Sequence, residues 1–379
     1  MQLELNIEKV AHGGVFVARP EGKVVFVEGT LPGERVLAEI VDEKSSFQRA
    51  VVKEVLQASE HRRSHIWPES AQGAGGIDFG HIELSYQREL KTQVLQESLM
   101  RFAKLESSAV VREIDQTDGL HYRTRIQVHY DNRGRPCVKK VRSEDLIPVQ
   151  SLPLADEKLE TLALKNSAGY KDQRVSFAID TFGNVAPAEE TRFLSQVVGE
   201  RLFELSPETF WQAHRNAPAA LTTDVLNKLE ALNPISVVDL YGGVGLFGAA
   251  IASASPMISV TSVELNKQAV KDGKRSSRDL KNLSFETSDV LMYLRRREQN
   301  LDTVVLDPPR SGANSKVLTQ IARLGAKKIV YVACDPVAAA RDLNELTSLG
   351  YRLVELSALD IFPHTHHFET VLSFQLANL

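Results

Sequence analysis

Residues 237–248 read VVDLYGGVGLFG, and this stretch decides the fold. Residues 237–240 predict a buried strand, and the glycines that follow open a helix. Six further strand candidates alternate with helical segments from about Phe210 onward, at 259–263, 283–286, 303–306, 328–332, 352–356 and 370–375. Such alternation is typical of a doubly wound, Rossmann-like α/β sheet, so we predict seven strands.

The glycine loop fits two kinds of cofactor. Gly243, Gly245 and Gly248 satisfy the pattern G-x-G-x-x-G, and Glu264 closes the next strand. A nicotinamide-dependent dehydrogenase would use these residues for its pyrophosphate and ribose. The dehydrogenase therefore stays open as an alternative from the loop alone.

Carboxylates at successive strand ends favour S-adenosylmethionine, which carries an adenine, a ribose diol and a charged amino acid. Asp239 ends the first strand and Asp289 follows the third. We expect Glu264 to accept hydrogen bonds from the ribose hydroxyls and Asp289 to face the adenine. Gly243 lets the backbone approach the ligand closely.

The fourth strand favours the methyl donor more strongly. Leu306-Asp307-Pro308-Pro309-Arg310 places a carboxylate and two rigid prolines at the edge where open sheets bind ligands. A dehydrogenase does not need this turn, whereas a methyltransferase can use it to wall the pocket of a target base.

Two residues carry the predicted chemistry. Cys334 ends the next strand before Asp335-Pro336, and Glu369 begins the last strand. A thiolate that adds to carbon 6 of uracil makes carbon 5 nucleophilic, and a base then removes the carbon 5 proton. We therefore predict Cys334 as the nucleophile and Glu369 as the base.

Three nearby histidines, His364, His366 and His367, suggest a metal site as an alternative. No cysteine or clear carboxylate cluster completes a ligand set around them. We expect no metal.

The chain divides into three predicted segments. Residues 1–57 show short alternating runs between Gly and Pro turns, which predicts a small antiparallel β-barrel. Residues 58–205 predict a central α+β domain, with a helix over 85–103 that can pack on the catalytic domain. Residues 206–379 form the predicted methyltransferase domain.

A basic stretch lies within the central segment. Between Tyr122 and Arg142 there is a single acid, Asp131, against seven basic residues: Arg123, Arg125, Arg133, Arg135, Lys139, Lys140 and Arg142. The stretch is either a phosphate-binding face or a solvated hairpin edge. The net charge of −4 argues against indiscriminate coating of nucleic acid.

The composition of the 379-residue chain is that of a globular protein. No apolar run approaches the roughly 20 residues that span a bilayer, and the N-terminus has no basic start or apolar core of a leader peptide. The two cysteines, Cys137 and Cys334, are too few for a disulfide framework. We expect a cytoplasmic monomer without membrane contact.

The motifs together resemble those of the RNA uracil-5-methyltransferase family, the type that acts on transfer RNA and its ribosomal RNA relatives. Residues 25–36 resemble a TRAM domain, an OB-like module of RNA-modifying enzymes. The other matching stretches are 205–212, 239–247, 307–312, 334–343 and 364–370. The resemblance implies that Cys334 is the nucleophile, that Glu369 is the base, and that Gln212, Tyr241, Glu264 and Asp307 line the cofactor and base pocket.

The sequence departs from the family pattern at three places. Many members hold an iron-sulfur cluster on a Cys-Gly-Gly-Cys loop, whereas this chain has Ala74-Gly75-Gly76-Ile77. A cluster needs four thiolates, so none is expected. Gly242 replaces the usual Cys, which we expect to be harmless. Asp335 replaces the usual Asn, and its charge would raise the pKa of Cys334 unless Arg310 or Arg341 compensates.

The sequence thus predicts an S-adenosylmethionine-dependent enzyme that forms 5-methyluridine in transfer RNA or 23S ribosomal RNA. Two alternatives of other kinds remain. One is a non-catalytic RNA-binding protein built on the barrel, and the other is the dehydrogenase. The presence of both Cys334 and Glu369 weakens the non-catalytic alternative.

Overall fold

The computed structural model describes residues 1–165, 169–187, 189–190 and 192–377. Its N-terminal part is one six-stranded sheet, with the spatial order β1-β5-β6-β4-β3-β2. Its strands are β1 (Gln2–Asn6), β2 (Lys9–Ala11), β3 (Val15–Ala18), β4 (Val24–Glu28), β5 (Arg35–Glu43) and β6 (Phe47–Gln57).

This N-terminal sheet is not wholly antiparallel, which differs from the expectation for residues 1–57. β4 and β6 pair in parallel, with Val24 opposite Phe47, while the other neighbours are antiparallel. The reason is that β6 turns back along β5 and then lies beside β4. Phe79, Ile82 and Leu90 from the following segment complete its apolar core.

The central segment adds a helix and a second sheet. Its elements are α1 (Leu84–Ser98), β7 (Val111–Glu113), β8 (Arg125–Tyr130), β9 (Pro136–Lys139), β10 (Leu146–Pro148), α2 (Glu157–Lys165), β11 (Arg174–Ile179) and β12 (Val185–Pro187). The sheet has the order β10-β9-β8-β11-β12, and α2 packs on β8 and β11. A π-helical turn, Leu99–Ala103, continues α1.

The C-terminal part alternates strands and helices. It consists of β13 (Leu194–Val198), β14 (Arg201–Leu205), α3 (Ala217–Leu232), β15 (Ser236–Leu240), α4 (Leu246–Ala254), β16 (Ser259–Glu264), α5 (Lys267–Ser276), β17 (Leu283–Thr287), α6 (Val290–Arg296), β18 (Thr303–Leu306), α7 (Ser315–Arg323), β19 (Lys328–Ala333), α8 (Pro336–Ser348), β20 (Tyr351–Asp360) and β21 (Glu369–Leu376). β13 and β14 form a separate hairpin.

The main sheet has eight strands in the order β17-β16-β15-β18-β19-β21-β20-β7. Seven are the predicted strands, and five of these, β15 to β19, run parallel. The eighth, β7, comes from the central segment and pairs in parallel with Ala358–Asp360 of β20. The sequence did not indicate β7, because a strand of three residues has too few side chains to show a pattern.

Both faces of this sheet are covered by helices, as a doubly wound fold requires. Successive side chains of β15 point to opposite faces. Val237 packs in the cluster that contains Leu221 of α3, whereas Val238 packs in the cluster that contains Leu318 of α7 and Leu95 of α1. Helix α1 therefore belongs to the core of the main sheet as well as to the N-terminal sheet.

The region where α1 meets the end of β20 contains a buried ion pair. Lys91 Nζ lies 2.6 Å from Asp360 Oδ1, and both side chains are almost inaccessible to solvent. Lys91 also donates to the carbonyl of Phe362 at 3.1 Å. A pair buried this deeply fixes the register of its elements, since breaking it leaves an uncompensated charge. No helix in the described part of the chain is long and apolar enough to cross a membrane.

Candidate active site

The strands of the main sheet bring the predicted site residues to one edge. The carboxyl ends of parallel strands meet at the same edge of a sheet, and β21, which runs the other way, begins there. The residues at or just beyond these ends are Tyr241 after β15, Glu264 in β16, Asp289 after β17, Asp307 after β18, Cys334 after β19 and Glu369 in β21.

The glycine loop is built around Glu264. Gly243 N donates to Glu264 Oε2 at 3.0 Å, and Asn266 N donates to Oε1 at 2.7 Å. Gly243 and Gly245 have φ values of 56° and 79°, a region that favours glycine. The carboxylate is thus held in place with lone pairs left over, which suits hydrogen bonds from a ribose diol.

Asp239 lies beneath this loop and is completely buried. Its Oδ2 accepts from Gly248 N at 3.2 Å and Ser262 Oγ at 3.0 Å, while Oδ1 has no partner among the described residues. Burial, together with the charge of Glu264, raises the pKa of Asp239 to about 7. An orphaned buried carboxylate oxygen fits a cationic ligand such as the amino group or sulfonium of S-adenosylmethionine.

Gly242 is tightly enclosed. A Cβ at this position would lie 2.0 Å from Ser262 Oγ and 2.7 Å from Asp239 Oδ2. The Ser262 hydroxyl therefore occupies the space that a side chain at position 242 would need. This explains why glycine stands here in this chain.

The remaining predicted cofactor residues surround the loop. Asp289 is exposed and caps α6, with its Oδ1 accepting from Met292 N at 2.9 Å. Tyr241 has a positive φ of 61°, and burial with the nearby Asp289 raises its pKa to about 12. Gln212 is buried, and its backbone carbonyl accepts from Thr124 Oγ1 at 3.4 Å.

Cys334 and Glu369 are neighbours across two strands. Ala333 of β19 pairs with Thr370 of β21 in antiparallel register, and Thr370 Oγ1 donates to the carbonyl of Ala333 at 3.1 Å. Cys334 and Glu369 are the next residues beyond this pair, and the charge of Glu369 acts on the Cys334 thiol.

The electrostatics of this pair are set by burial and by two further residues. Burial, with the charges of Glu369 and Asp307, raises the pKa of the Cys334 thiol to about 12, while Arg310 lowers it. Burial and Asp307 also raise the pKa of Glu369 well above its usual range, and Arg310 again opposes them. A carboxylate of raised pKa is a stronger base once it ionises.

Asp307 belongs to the same group. Burial and the charge of Asp239 raise its pKa to about 7. The edge therefore holds Asp239, Asp307 and Glu369 in surroundings that disfavour their charged forms, beside a thiol that is protonated at neutral pH. Clusters of shifted groups of this kind are typical of active sites.

Asp335 meets a partner that the sequence did not indicate. His12, from the turn between β2 and β3, places Nε2 2.9 Å from Asp335 Oδ2. Of the two arginines expected to compensate, Arg310 acts on the thiol itself. Arg341, the other candidate, lies on α8 and donates Nε to the carbonyl of Val337 at 3.4 Å.

The three histidines before Glu369 have separate structural partners. Gln87 binds His364, which donates its backbone N to Gln87 Oε1 at 2.7 Å. His366 donates its backbone N and Nδ1 to Asp78 Oδ2 at 2.9 and 2.6 Å. Burial lowers the pKa of His367 to about 3. The described ranges contain no group of three or more His, Cys, Asp or Glu side chains that could hold a metal ion.

The glycine-rich loop of the central segment packs in an apolar cluster. Ala74 and Ile77 are buried against Trp67, Tyr122 and Val149. Glu69, also buried, anchors the loop to the neighbouring chain, because its Oε1 accepts from the backbone N atoms of residues 150 and 151 at 2.7 and 3.2 Å.

A cleft of about 1020 Å³ separates the N-terminal sheet from the central sheet. Its basic lining residues are Arg62, Arg63, His65, His81, Arg123, His129, Lys139, Lys140, Arg142 and His366. The sequence indicated the cations of 122–142 but missed Arg62 and Arg63, which lie outside that stretch. Arg62 is tied to the buried Glu34, with Nε 2.6 Å from Oε1. No carboxylate within the described residues pairs with Lys140 or Arg123, so both are open to an anion.

The doubly wound sheet, the glycine loop and the row of carboxylates at the strand ends define an S-adenosylmethionine-dependent methyltransferase. Comparisons with known proteins agree. Residues 199–376 match the model of the tRNA (uracil-5-)-methyltransferase family, and residues 2–53 match the TRAM domain.

Relatives extend along nearly the whole chain. An uncharacterized RNA methyltransferase of Bifidobacterium longum is 33% identical and covers 99% of this chain and 97% of the relative. The 23S rRNA (uracil(1939)-C(5))-methyltransferase RlmD of Shewanella denitrificans is 28% identical, over 99% of this chain and 96% of the relative. The chain belongs to the RNA uracil-5-methyltransferase family and depends on S-adenosylmethionine. This assignment excludes the dehydrogenase and the non-catalytic RNA-binding protein.

A solved structure shares the fold. The crystal structure of the Pyrococcus abyssi tRNA (uracil-54, C5)-methyltransferase in complex with S-adenosyl-L-homocysteine superposes with a TM-score of 0.77. It covers 98% of this chain and 100% of that chain at 19% sequence identity. The shared fold extends through the N-terminal, central and catalytic parts.

Proposed function

We propose that the chain methylates carbon 5 of a uridine in structured RNA through a covalent adduct on Cys334. The observation that supports this proposal is the pairing of Ala333 in β19 with Thr370 in β21, the residues next to Cys334 and Glu369, together with the effect of the Glu369 charge on the thiol. The reaction needs a thiolate and a base, and Arg310 opposes the rise in pKa at both Cys334 and Glu369.

Each step conserves atoms and electrons. The Cys334 thiol loses its proton to solvent, and its sulfur forms a bond to carbon 6, which sends an electron pair to the uracil oxygen as an enolate. The enolate pair returns to carbon 5 as the nucleophile, and S-adenosylmethionine, which Glu264 and Asp289 would hold, would supply the methyl group and be left as a neutral sulfide. Glu369 then takes the carbon 5 proton, the bond between sulfur and carbon 6 breaks, and the thiolate is released.

The residues of the edge would share the work of binding. Glu264 accepts hydrogen bonds from the ribose of the methyl donor, and Asp289 faces its adenine. Gln212, Tyr241, Gly243 and Asp307 complete the cofactor and base pocket. Because the thiol is partly buried, the uridine would have to leave its stack before carbon 6 could reach Cys334.

The other segments would bind RNA. Residues 1–57 and 58–205 enclose the basic cleft, and residues 206–379 carry the chemistry. Lys140 and Arg123 would contact phosphates there, because exposed cations in a groove attract a polyanion. We propose that one chain suffices for this arrangement and acts as a monomer.

Trapping with RNA that contains 5-fluorouridine tests the mechanism. Fluorine cannot be removed as a proton, so the adduct on Cys334 should accumulate as a slow-migrating, nuclease-sensitive band on a denaturing gel. Cys334→Ala should form no adduct, lose methyl transfer and retain affinity for S-adenosylmethionine. Cys137→Ala is the matched control, since Cys137 lies in β9, and it should form the adduct normally. An adduct in Cys334→Ala would refute the proposal.

The target is found by mapping 5-methyluridine in total RNA with and without the gene. The relative named for 23S rRNA and the fold neighbour named for transfer RNA give the two pools to compare. Loss of 5-methyluridine from one pool identifies the substrate. No change in either pool would contradict the proposed reaction in the cell.

A further inference from the structure

The N-terminal sheet reaches the strand end that carries the nucleophile. The turn of residues 11–14, between β2 and β3, lies against Cys334, Asp335 and Pro336. It encloses a cavity of about 10 Å³, about enough for one water molecule. The contact joins parts of the chain that are 323 residues apart in sequence.

The two carboxylate oxygens of Asp335 have separate partners. Oδ1 accepts from the backbone N atoms of Val337 and Ala338 at 3.0 and 2.8 Å, which caps the start of α8. Oδ2 accepts from His12 Nε2 at 2.9 Å. Burial raises the pKa of Asp335, but the hydrogen bonds from His12 and from the backbone lower it further, so the net pKa lies below its usual value. Asp335 is therefore ionised at neutral pH.

The turn that carries His12 is held by other contacts. Gly14 has a φ of 73°, and a Cβ there would lie 2.6 Å from Asp78 Oδ2 and 2.9 Å from His366 Nδ1. Lys9 Nζ in β2 lies 2.6 Å from Glu97 Oε1 in α1. Close packing at Gly14 and the ion pair at Lys9 fix where His12 points.

The contact between His12 and Asp335 matters because several charges act on the Cys334 thiol. Glu369 and Asp307 oppose formation of the thiolate, and Arg310 favours it. Asp335 adds a further negative charge next to Cys334 in sequence. Its carboxylate is directed to the start of α8 and to His12, whose donors offset that charge. The titratable groups that surround the turn on the other side are Asp78, His366, His367 and Lys91.

We infer that His12 is a positioning residue for the nucleophile: its hydrogen bond to Oδ2 holds the Asp335 carboxylate in its capping geometry, and so favours the thiolate of Cys334. This inference rests on the proposed role of Cys334. The residue acts through Asp335 and does not touch the reacting base.

The rate of alkylation of Cys334 by iodoacetamide measures the thiolate directly, without RNA. The full-length Cys137→Ala protein leaves one cysteine to react. At pH 8, adding His12→Ala should slow alkylation about 3- to 10-fold, since each unit of pKa is tenfold in thiolate at a pH below the pKa. His12→Gln keeps a donor and should recover most of the rate.

Replacing Asp335 separates positioning from general loosening. Asn caps a helix as well as Asp does, so Asp335→Asn removes the charge and keeps the cap. In that background His12→Ala should change alkylation less than about 2-fold. Lys53→Ala is the matched control, because it removes an ion pair with Glu39 within the N-terminal sheet without touching the turn or Asp335, and its alkylation rate should equal that of the parent protein.

Two outcomes would overturn the inference. An unchanged rate in His12→Ala shows that the contact does not affect the thiol. An equal loss in the presence and absence of Asp335→Asn shows that His12 acts only by packing. Failure of the proposed function is distinguishable, because the 5-fluorouridine adduct in Cys334→Ala reports on the nucleophile whatever the effect of His12.

Discussion

The edge of the main sheet and the cleft between the two smaller sheets carry opposite charges. The edge holds carboxylates at successive strand ends, among them Asp239, Glu264 and Asp307. The cleft is lined by cations, among them Arg123 and Lys140. The formal net charge of −4 hides this division. A cationic methyl donor and an anionic RNA can therefore approach one protein at separate places.

Burial distinguishes the two regions as much as charge does. Asp239 is fully buried, and its pKa is raised to about 7. Ionising such a carboxyl at the edge therefore lowers the free energy of unfolding. Lys140 is exposed and costs nothing to keep charged. Substitutions at the edge should therefore change chemistry, cofactor binding and stability, whereas substitutions in the cleft should change affinity for RNA and its salt dependence.

The largest effect is expected from Glu369→Gln. Because the glutamine cannot accept the carbon 5 proton, addition and methylation should proceed but elimination should stall, and turnover should fall about 10²- to 10⁴-fold. Methylated RNA should remain joined to Cys334 on a denaturing gel. Near-normal turnover would show that Glu369 is only the first residue of β21. Inactivity without an adduct would assign Glu369 to uracil binding.

Glu264→Ala should weaken binding of S-adenosylmethionine by about 1–3 kcal/mol, the scale of lost charge-assisted hydrogen bonds. Isothermal titration with the cofactor alone measures this. RNA affinity should be unchanged if the two regions are independent. Glu286→Ala, in β17 but paired with Arg296 on the surface, is the control and should bind the cofactor normally. Equal losses of affinity for the cofactor and for RNA would show that the edge and the cleft do not bind their ligands independently.

Asp307→Asn should stabilise the protein without cofactor at pH 8. A carboxyl whose pKa is raised to about 7 keeps its proton in the folded state at pH values where the unfolded chain has lost it. Stability therefore falls as pH rises from about 4 to about 7. Asparagine removes this loss, by about 1–2 kcal/mol at pH 8 and by little at pH 4. Urea denaturation at both pH values measures the difference.

The control for that prediction has the opposite sign. Burial raises the pKa of Asp302, but hydrogen bonds from the backbone N atoms of Ile235 and Ser236 lower it more, so the net pKa lies below its usual value. Asp302→Asn should therefore destabilise the protein at pH 8. If Asp307→Asn also destabilised the protein at pH 8, burial of the Asp307 carboxyl would not lower the free energy of unfolding as we expect.

The smallest effect is expected in the cleft. Lys140→Ala should weaken RNA binding a few-fold and reduce the slope of log affinity against log salt by about one unit, the share of one phosphate contact. Filter binding at several salt concentrations measures both. Lys316→Ala, exposed at the start of α7, is the matched control and should leave the slope unchanged. An unchanged slope for Lys140→Ala would show that RNA does not contact Lys140 in the cleft.

Most strands of the main sheet and much of its edge could be predicted from the sequence. Strands that alternate with helices meet at one edge, so Asp307 and Cys334 could be placed together from the amino-acid pattern alone. Glu369 begins its strand, so its place at that edge depends on the antiparallel direction of β21, which the pattern did not predict. The direction of β6 beside β4 could not be predicted. Alternation of apolar residues fixes which face a side chain takes, but not which way the neighbouring strand runs.

Contacts between distant parts of the chain could not be predicted from the sequence for a different reason. His12 lies in a glycine turn with no motif, and its position opposite Asp335 depends on how the N-terminal sheet packs on α1. Arg62 joins the cleft only because Glu34 holds it there.

The strand β7 bears on how this enzyme could have been assembled. It covers the end of β20, pairing with Ala358–Asp360, and it comes from a segment that precedes the catalytic fold by almost a hundred residues. A fragment of residues 199–377 would expose the backbone of Ala358–Asp360 and the apolar surface under α1. Exposed strand backbone and apolar surface promote aggregation. We therefore expect that residues 199–377 cannot be replaced alone by the corresponding part of a relative. A chimera should take residues 84–113 and 351–360 from the same parent.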